Sequence, residues 1–172
     1  FIIDGEGQKV ADSITKVRRH HVFRSGEDLA EKLVFSNFVT GCTMLIKAET
    51  AKAAMPFCPY MVHDHYLALY ASNKGKIISL PDRLIKYRIH GGNQTEMMAG
   101  VKDKGSYGRI RIDEALAKMR WLEQYFNCCT EVKKVIRQGR EWLEARQQNW
   151  QRQGGAKTVW RYRRFNRAVA CF

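Results

Sequence analysis

The sequence has 172 residues, 45% of them hydrophobic and 27% charged, and a formal net charge of +13. This apolar content is sufficient for a core and argues against disorder over the whole length. The five cysteines are odd in number and show no CxxC spacing, which argues against a disulfide framework or a structural zinc site. We therefore expect a reducing, cytoplasmic location. The longest uncharged run, residues 33–46, is shorter than the roughly 20 residues of a membrane-spanning helix.

The first 95 residues alternate short predicted strands and helices, which is typical of a mixed α/β domain. Residues 1–3 and 9–10 are predicted as strands around a glycine-rich turn. Because the chain opens inside this hairpin, we expect it to be a piece of a longer protein. The remaining predicted elements are helices from Gly26, over residues 47–55 and from His63 to Gly75, a strand over Val39–Ile46, and β-rich runs over residues 76–80 and 84–90.

After residue 100 the pattern becomes helical. Apolar residues at helical spacing predict helices near 112–126 and 132–143, and a third over 158–172. We place a boundary between an α/β part, 1–96, and a helical extension, 97–172. Residues 1–100 carry 13 Lys and Arg against 10 Asp and Glu, a charge of +3, whereas residues 101–172 carry 17 against 7, a charge of +10. The basic excess of the extension indicates a phosphate-rich partner.

Two histidines flank Asp64 at the predicted start of a helix. In a helix His63 and His65 would point to different faces, and in a strand they would leave Asp64 opposite, so neither arrangement gives a compact zinc site. A carboxylate at a helix N-terminus is stabilised by free backbone N–H groups. It could therefore serve as a general base or simply as the N-cap, and the spacing alone favours capping.

Four segments in order carry a more specific pattern: DGEGQKVADS at 4–13, VTGCTMLI at 39–46, HDHYLALYASNKGKI at 63–77 and LIKYRIHGGNQT at 84–95. Together they resemble the second half of a bacterial family 2 glycosyltransferase of the GT-A fold, close to the rhamnosyltransferase-like members. The resemblance covers roughly residues 1–96. It implies an α/β fold that is the C-terminal portion of a Rossmann-like nucleotide-sugar transferase domain, followed here by an α-helical extension.

The resemblance implies an inverting transfer of sugar from a nucleotide-sugar donor to a saccharide or lipid-linked acceptor, in bacterial cell-surface polysaccharide synthesis. Asp64 falls on the acidic position of the family's xED motif and would be the catalytic base. His90 falls on the histidine that binds the divalent metal, Mg²⁺ or Mn²⁺, on the donor diphosphate. The residues expected to line the donor–acceptor cleft are Gly41, His63, Arg88 and Asn93.

Two departures from the family pattern matter. The tryptophan that usually follows the HD pair is here His65, which we expect to be a polar residue at the helix start and cleft edge. The DxD motif that binds metal and nucleotide would lie upstream of residues 4–13, and Glu27-Asp28, at a predicted surface helix start, does not replace it. We therefore expect the 172-residue chain to be catalytically inert by itself.

The last predicted helix, in residues 157–172, alternates aromatic residues with arginine. This pattern suits contact with an anionic membrane at its inner face, and it also suits packing on the α/β part with a solvated basic face, which is slightly favoured. Nucleic-acid binding is a rival from another class, but no recognised motif supports it. The alternative function is therefore a non-catalytic basic helical module that binds an anionic membrane or nucleic acid.

Overall fold

The computed structural model describes residues 1–18, 21–90, 100–151, 157 and 160. Within these residues the chain is mixed α/β, as predicted. The strands are β1 (Ile2–Ile3), β2 (Lys9–Ala11) and β3 (Tyr87–Arg88). The helices are α1 (Ile14–Val17), α2 (Ala30–Leu33), α3 (Ala48–Ala53), α4 (His63–Lys74), α5 (Lys104–Gly108), α6 (Glu114–Tyr125) and α7 (Thr130–Trp150). There is also a 3₁₀ turn at Gly41–Thr43 and a π-helical turn at Arg109–Asp113.

The three strands form a small mixed sheet with β1 at its centre. β1 is antiparallel to β2, with Ile2 opposite Ala11, and parallel to β3, with Ile2 opposite Tyr87. Gly7 adopts a φ of +87° in the turn between β1 and β2, and its N–H donates to the carbonyl of Asp4. Glycine adopts this left-handed conformation without steric cost, so the chain can reverse here. The predicted N-terminal hairpin is confirmed.

The predicted strand over Val39–Ile46 is wrong, because this segment contains the 3₁₀ turn instead. Its backbone N–H groups are used locally: Thr43 donates to the carbonyl of Thr40, and Met44 donates to the carbonyl of Gly41. The N–H of Gly41 donates to a carboxylate in α4. Groups bonded in this way are not available to a β-ladder, so the apolar run does not join the sheet.

The helix that was predicted to start at Gly26 begins later, at Ala30. Gly26 has a φ of +131° and Asp28 a φ of +56°, which are outside the right-handed helical region. The β-rich run at residues 76–80 contributes an isolated bridge between Ile77 and Gly26. Helices α3 and α4 form where their composition predicted them, and α4 ends before Gly75 as expected.

The hydrophobic core lies between α2, α4, α6 and α7. Leu33, Leu69 and Leu122 have no exposed surface, and they belong to one cluster that includes residues on both sides of position 97. Helices α6 and α7 confirm the first two helices predicted after residue 100. The α/β part and the helical pair therefore share one core. The proposed boundary itself falls in residues 91–99, outside the described residues.

The helical pair α6–α7 also carries an ion-pair network on its half-exposed side. Arg140 pairs with Glu123 at 2.6 Å and with Glu144 at 2.8 Å, and Glu144 also pairs with Arg120. None of the helices in the described part of the chain combines the length and the apolar composition needed to cross a membrane. The third predicted helix, over 158–172, lies outside the described residues except at Trp160.

Candidate active site around Asp64

Asp64 is the second residue of α4, in the first turn of the helix. The N-cap is Val62, which has extended backbone angles and makes no side-chain capping bond. The interpretation of Asp64 as the N-cap is therefore wrong. The carboxylate nevertheless lies next to the free N–H groups of the helix start, and its Oδ1 is 2.6 Å from the backbone nitrogen of His65. The start of α4 thus presents a carboxylate that does not serve as the helix cap.

The carboxylate of Asp64 bonds across to the loop between α2 and the 3₁₀ turn. Its Oδ2 accepts the backbone N–H of Gly41 at 2.9 Å. Its Oδ1 accepts the side-chain amide of Asn37 at 3.2 Å. Asn37 in turn accepts the N–H of Val39 at 2.9 Å through its amide oxygen. Both carboxylate oxygens are therefore fixed against a loop that is 23 to 27 positions away in the sequence.

Gly41 lies against the side chains of His63 and Asp64. A Cβ built on Gly41 would be 2.9 Å from Nε2 of His63 and 3.5 Å from Oδ2 of Asp64. The imidazole of His63 is exposed, whereas Asp64 is half-buried. The structure thus brings together three residues that the resemblance assigns to one cleft, and a side chain at position 41 would crowd them.

Asn37 was not among the site residues predicted from the sequence. The sequence marks Asn37 only weakly as a site residue, since it is one of several polar residues in the uncharged run 33–46. An amide in such a run requires a hydrogen-bond partner once the run is buried. That partner, Asp64, is distant in sequence and could not be identified from the run alone.

His65 does not lie at a cleft edge as expected, and this prediction is wrong. It is 8% exposed, and its Nε2 is 2.6 Å from the carbonyl oxygen of Leu33. Burial lowers the pKa of His65 to about 3, and the charge of Lys118 lowers it further, while the bond to Leu33 acts in the opposite direction. Because a carbonyl oxygen can only accept, Nε2 carries the proton of a neutral ring. His65 is therefore a packing residue that fastens α4 to the end of α2.

Lys118 from α6 binds the C-terminal end of α2, as His65 does. Its Nζ donates to the carbonyl of Val34 at 3.0 Å, one residue after the carbonyl bound by His65. Burial lowers the pKa of Lys118 to about 8, and the nearby thiol of Cys58 acts against this shift. The last carbonyls of a helix lack intrahelical partners, so these two donors satisfy the end of α2. They fix the start of the loop that holds Asp64.

The other predicted site residues belong to the sheet. Arg88 lies in β3, and its guanidinium donates to the carbonyls of Asp4 and Gly5 in the turn between β1 and β2. His90 follows β3 and is exposed. Neither is a hydrogen-bond partner of Asp64 among the described residues. The predicted cleft residue Asn93 lies outside the described residues.

The predicted metal site is not complete among the side chains that the structure describes. Within them, no three His, Cys, Asp or Glu side chains are grouped in a way that could hold a metal ion. His90, the predicted ligand, therefore has no completed ligand set in the described part of the chain. The donors present there do not by themselves fit Mg²⁺ or Mn²⁺, and the cation stays a prediction of the resemblance.

Comparison with known proteins gives no relative from which a role could be transferred. No protein-family model, no curated protein and no solved structure matches the chain. The region around Asp64 must therefore be interpreted from its own chemistry. A half-buried carboxylate held by loop donors, with an exposed imidazole beside it, can accept a proton from a hydroxyl group brought to it.

Proposed function

We propose that the chain is part of an inverting glycosyltransferase of the GT-A fold, family 2, in which Asp64 is the general base. The observation that carries this proposal is the 2.9 Å bond from the Gly41 N–H to Oδ2 of Asp64. It joins the segments 39–46 and 63–77, which the resemblance assigns to the same cleft. Two motifs selected by sequence likeness alone thus meet at the carboxylate on which the reaction would depend.

The number of hydrogen bonds on each oxygen favours Oδ2 as the reacting atom. A carboxylate oxygen has two acceptor positions. Oδ1 accepts from Asn37 and lies within bonding distance of the His65 N–H, whereas Oδ2 accepts from Gly41. One acceptor position on Oδ2 therefore remains for the proton of an acceptor hydroxyl.

In the proposed reaction the acceptor oxygen attacks C1 of the sugar from the face opposite the leaving group. The bond between the acceptor oxygen and C1 forms, the bond from C1 to the nucleoside diphosphate breaks, and the hydroxyl proton moves to Oδ2 of Asp64. The transition state has oxocarbenium character, so correct alignment supplies much of the rate. Donors that hold the carboxylate in advance reduce the reorganisation needed at that moment.

A divalent cation, when bound, would neutralise charge on the departing diphosphate. The described side chains do not by themselves provide a ligand set for it. The DxD motif of the family is also absent from the sequence. The proposal therefore assigns the nucleotide-binding half of the reaction to a longer protein of which this chain is a part.

The decisive experiment is Asp64→Asn in the longer protein. Transfer is measured as nucleoside diphosphate released from a panel of UDP-, GDP- and dTDP-linked sugars, and donor binding is measured by calorimetry. We expect transfer to fall by about 10²- to 10⁴-fold, with donor binding unchanged, because only the proton acceptor is lost. The exposed Asp82→Asn is the matched control and should keep full activity. Undiminished transfer in Asp64→Asn would refute the proposed role.

A second candidate function has support in the charge of the helical extension. Lys133, Lys134 and Arg137 are all exposed in the first half of α7, and residues 101–172 carry +10. These residues would suit a basic module that binds an anionic membrane or nucleic acid. Pelleting with phosphatidylserine vesicles, run beside a salt-dependent gel shift with DNA and RNA, separates the two ligands. Charge reversal at the three positions should weaken whichever binding is found.

A further inference from the structure

We infer that Asn37 is a positioning residue, which holds the Asp64 carboxylate in place while bracing the loop that supplies the Gly41 N–H. The inference rests on the proposed function, since positioning has a purpose only if Asp64 takes part in a reaction. Asn37 does not belong to any of the four segments that carry the family resemblance. Its assignment comes from hydrogen bonds alone.

The orientation of the Asn37 amide is determined by its two partners. The backbone N–H of Val39 can only donate, so the amide oxygen of Asn37 must face it, at 2.9 Å. The NH₂ group must then face the carboxylate of Asp64, where it donates to Oδ1 at 3.2 Å. An ionised carboxylate only accepts, so both contacts agree on one orientation. The two ends of the side chain therefore have separate tasks.

The two oxygens of Asp64 therefore have different roles: Oδ1 is held by Asn37, and Oδ2 is the atom proposed to accept the proton. By occupying Oδ1, Asn37 limits rotation of the carboxylate, so that Oδ2 stays over Gly41. By binding Val39, it holds the loop two residues ahead of the 3₁₀ turn that contains Gly41. Asn37 acts through Asp64 and not on the substrate, which is why it is a positioning residue.

Asn37→Asp separates the two tasks. The new side chain has the same shape and keeps an oxygen to accept the Val39 N–H, but it replaces the donor facing Asp64 with a second carboxylate. Two carboxylates at this distance resist simultaneous ionisation, and one proton is then held to higher pH. Asn37→Ala removes both bonds and serves as a second variant if Asn37→Asp does not fold.

Asn73 in α4 offers a matched control. Its amide nitrogen donates to the carbonyl of Asn127 at 3.0 Å, and its oxygen accepts the N–H of Cys129 at 3.3 Å. Asn73→Asp therefore makes the same chemical change in a side chain with the same two kinds of bond, one to a donor and one to an acceptor. The acceptor there is a carbonyl and not a carboxylate.

The first measurement is a ¹³C NMR titration of the carboxyl carbons in the 172-residue chain, labelled at aspartate. The Asp64 signal is identified by its loss in Asp64→Asn. We expect its titration midpoint to move up by about one pH unit or more in Asn37→Asp, less in Asn37→Ala, and not at all in Asn73→Asp. An unmoved Asp64 midpoint in both Asn37 variants would overturn the inference, whatever Asp64 does.

The second measurement is the pH–rate profile of transfer in the longer protein carrying Asn37→Asp. Its acidic limb should move in the same direction as the NMR midpoint, with kcat lowered and the KM for the donor unchanged. An unchanged acidic limb would overturn the positioning role. If the NMR midpoint moves but Asp64→Asn still transfers sugar, the proposed function fails while the Asn37–Asp64 contact stands, so the two ideas fail separately.

Discussion

The helical pair α6–α7 and the region around Asp64 are held by different kinds of force. In the helical pair, Leu122 and Trp142 have no exposed surface, and the ion pairs of Arg140 lie at the edge of this apolar contact. Around Asp64 the contacts are a few directional hydrogen bonds to one carboxylate. Apolar burial contributes stability in proportion to area, whereas a polar cluster depends on each partner. Apolar burial therefore stabilises the helical pair, whereas directional hydrogen bonds fix the position of the Asp64 carboxylate.

The two regions are nevertheless coupled. Phe35, at the start of the loop that reaches Asp64, packs against Gly139 of α7, where a Cβ would be 2.4 Å from the ring. Lys118 of α6 binds the carbonyl of Val34 just before it. The loop is therefore anchored to the helical pair at its first residues. Changes in the pair should reach the candidate active site through this anchor.

The largest expected effect comes from the core of the helical pair. Leu122→Ala should lower the free energy of unfolding by about 2–5 kcal/mol, because it deletes a fully buried side chain and leaves a cavity. Leu45→Ala makes the identical truncation at a fully exposed position and should change it by less than about 0.5 kcal/mol. Urea denaturation measures both. Equal effects would contradict the assignment of the core.

The anchor itself can be tested with Gly139→Ala. The added methyl group meets the Phe35 ring, so the free energy of unfolding should fall by about 1–3 kcal/mol, although alanine favours the helix. Gly105→Ala in α5 meets nothing closer than an ordinary contact at 3.4 Å and should be neutral or slightly stabilising. If Gly139→Ala is also stabilising in urea denaturation, Phe35 does not pack as described.

The buried His65 predicts a pH dependence of stability. Its pKa is about 3 in the folded chain against 6.5 in an exposed histidine, so the unfolded state binds the proton first as pH falls. The contribution of neutral His65 to the free energy of unfolding is complete above pH 6.5 and is lost between pH 6.5 and 3. From pH 7 to 5 this loss lowers the free energy of unfolding by about 1–2 kcal/mol. His65→Gln should remove this part of the slope, and the exposed His63→Gln should keep it. Denaturation at several pH values checks the difference between the variants.

The smallest expected effect on stability is that of Gly41→Ala. The added methyl group meets the tip of the exposed His63 ring, which can move away, so the unfolding free energy should fall by less than about 1 kcal/mol. If the proposed function holds, transfer by the longer protein should nevertheless fall, because the added methyl group would lie 3.5 Å from Oδ2 of Asp64. Thermal unfolding and the release assay test the two halves of this prediction. Gly5→Ala, with open space around it, should change neither.

The sequence predicted those elements whose signal is local. The spacing of apolar residues located α6 and α7, and a group of apolar residues closed by a glycine located α4. The glycine-rich turn located the hairpin of β1 and β2. Each of these signals lies within a few turns of chain, where side-chain period and backbone geometry are directly linked. At residues 39–46 the local signal was misleading, because an apolar run that resembles a strand contains a 3₁₀ turn.

Part of the candidate site was also present in the sequence. The likeness of four segments grouped Gly41, His63 and Asp64, and the structure brings these three together. It also grouped Arg88, whose guanidinium instead binds carbonyls of the β1–β2 turn. A motif records which residues occur together, but not which of them bond to each other.

The sequence by itself determined helices α3, α4, α6 and α7, the hairpin, the uneven charge and the position of an acidic residue at a helix start. Only the tertiary structure decided that residues 39–46 contain a 3₁₀ turn at Gly41–Thr43, that His65 is buried, and that Asn37 and Gly41 hold Asp64. The physical reason is that a hydrogen bond between residues 27 positions apart produces no periodic pattern of residues in the local sequence. Its partners are selected by how the helices pack against the shared core, and that selection is a property of the whole chain.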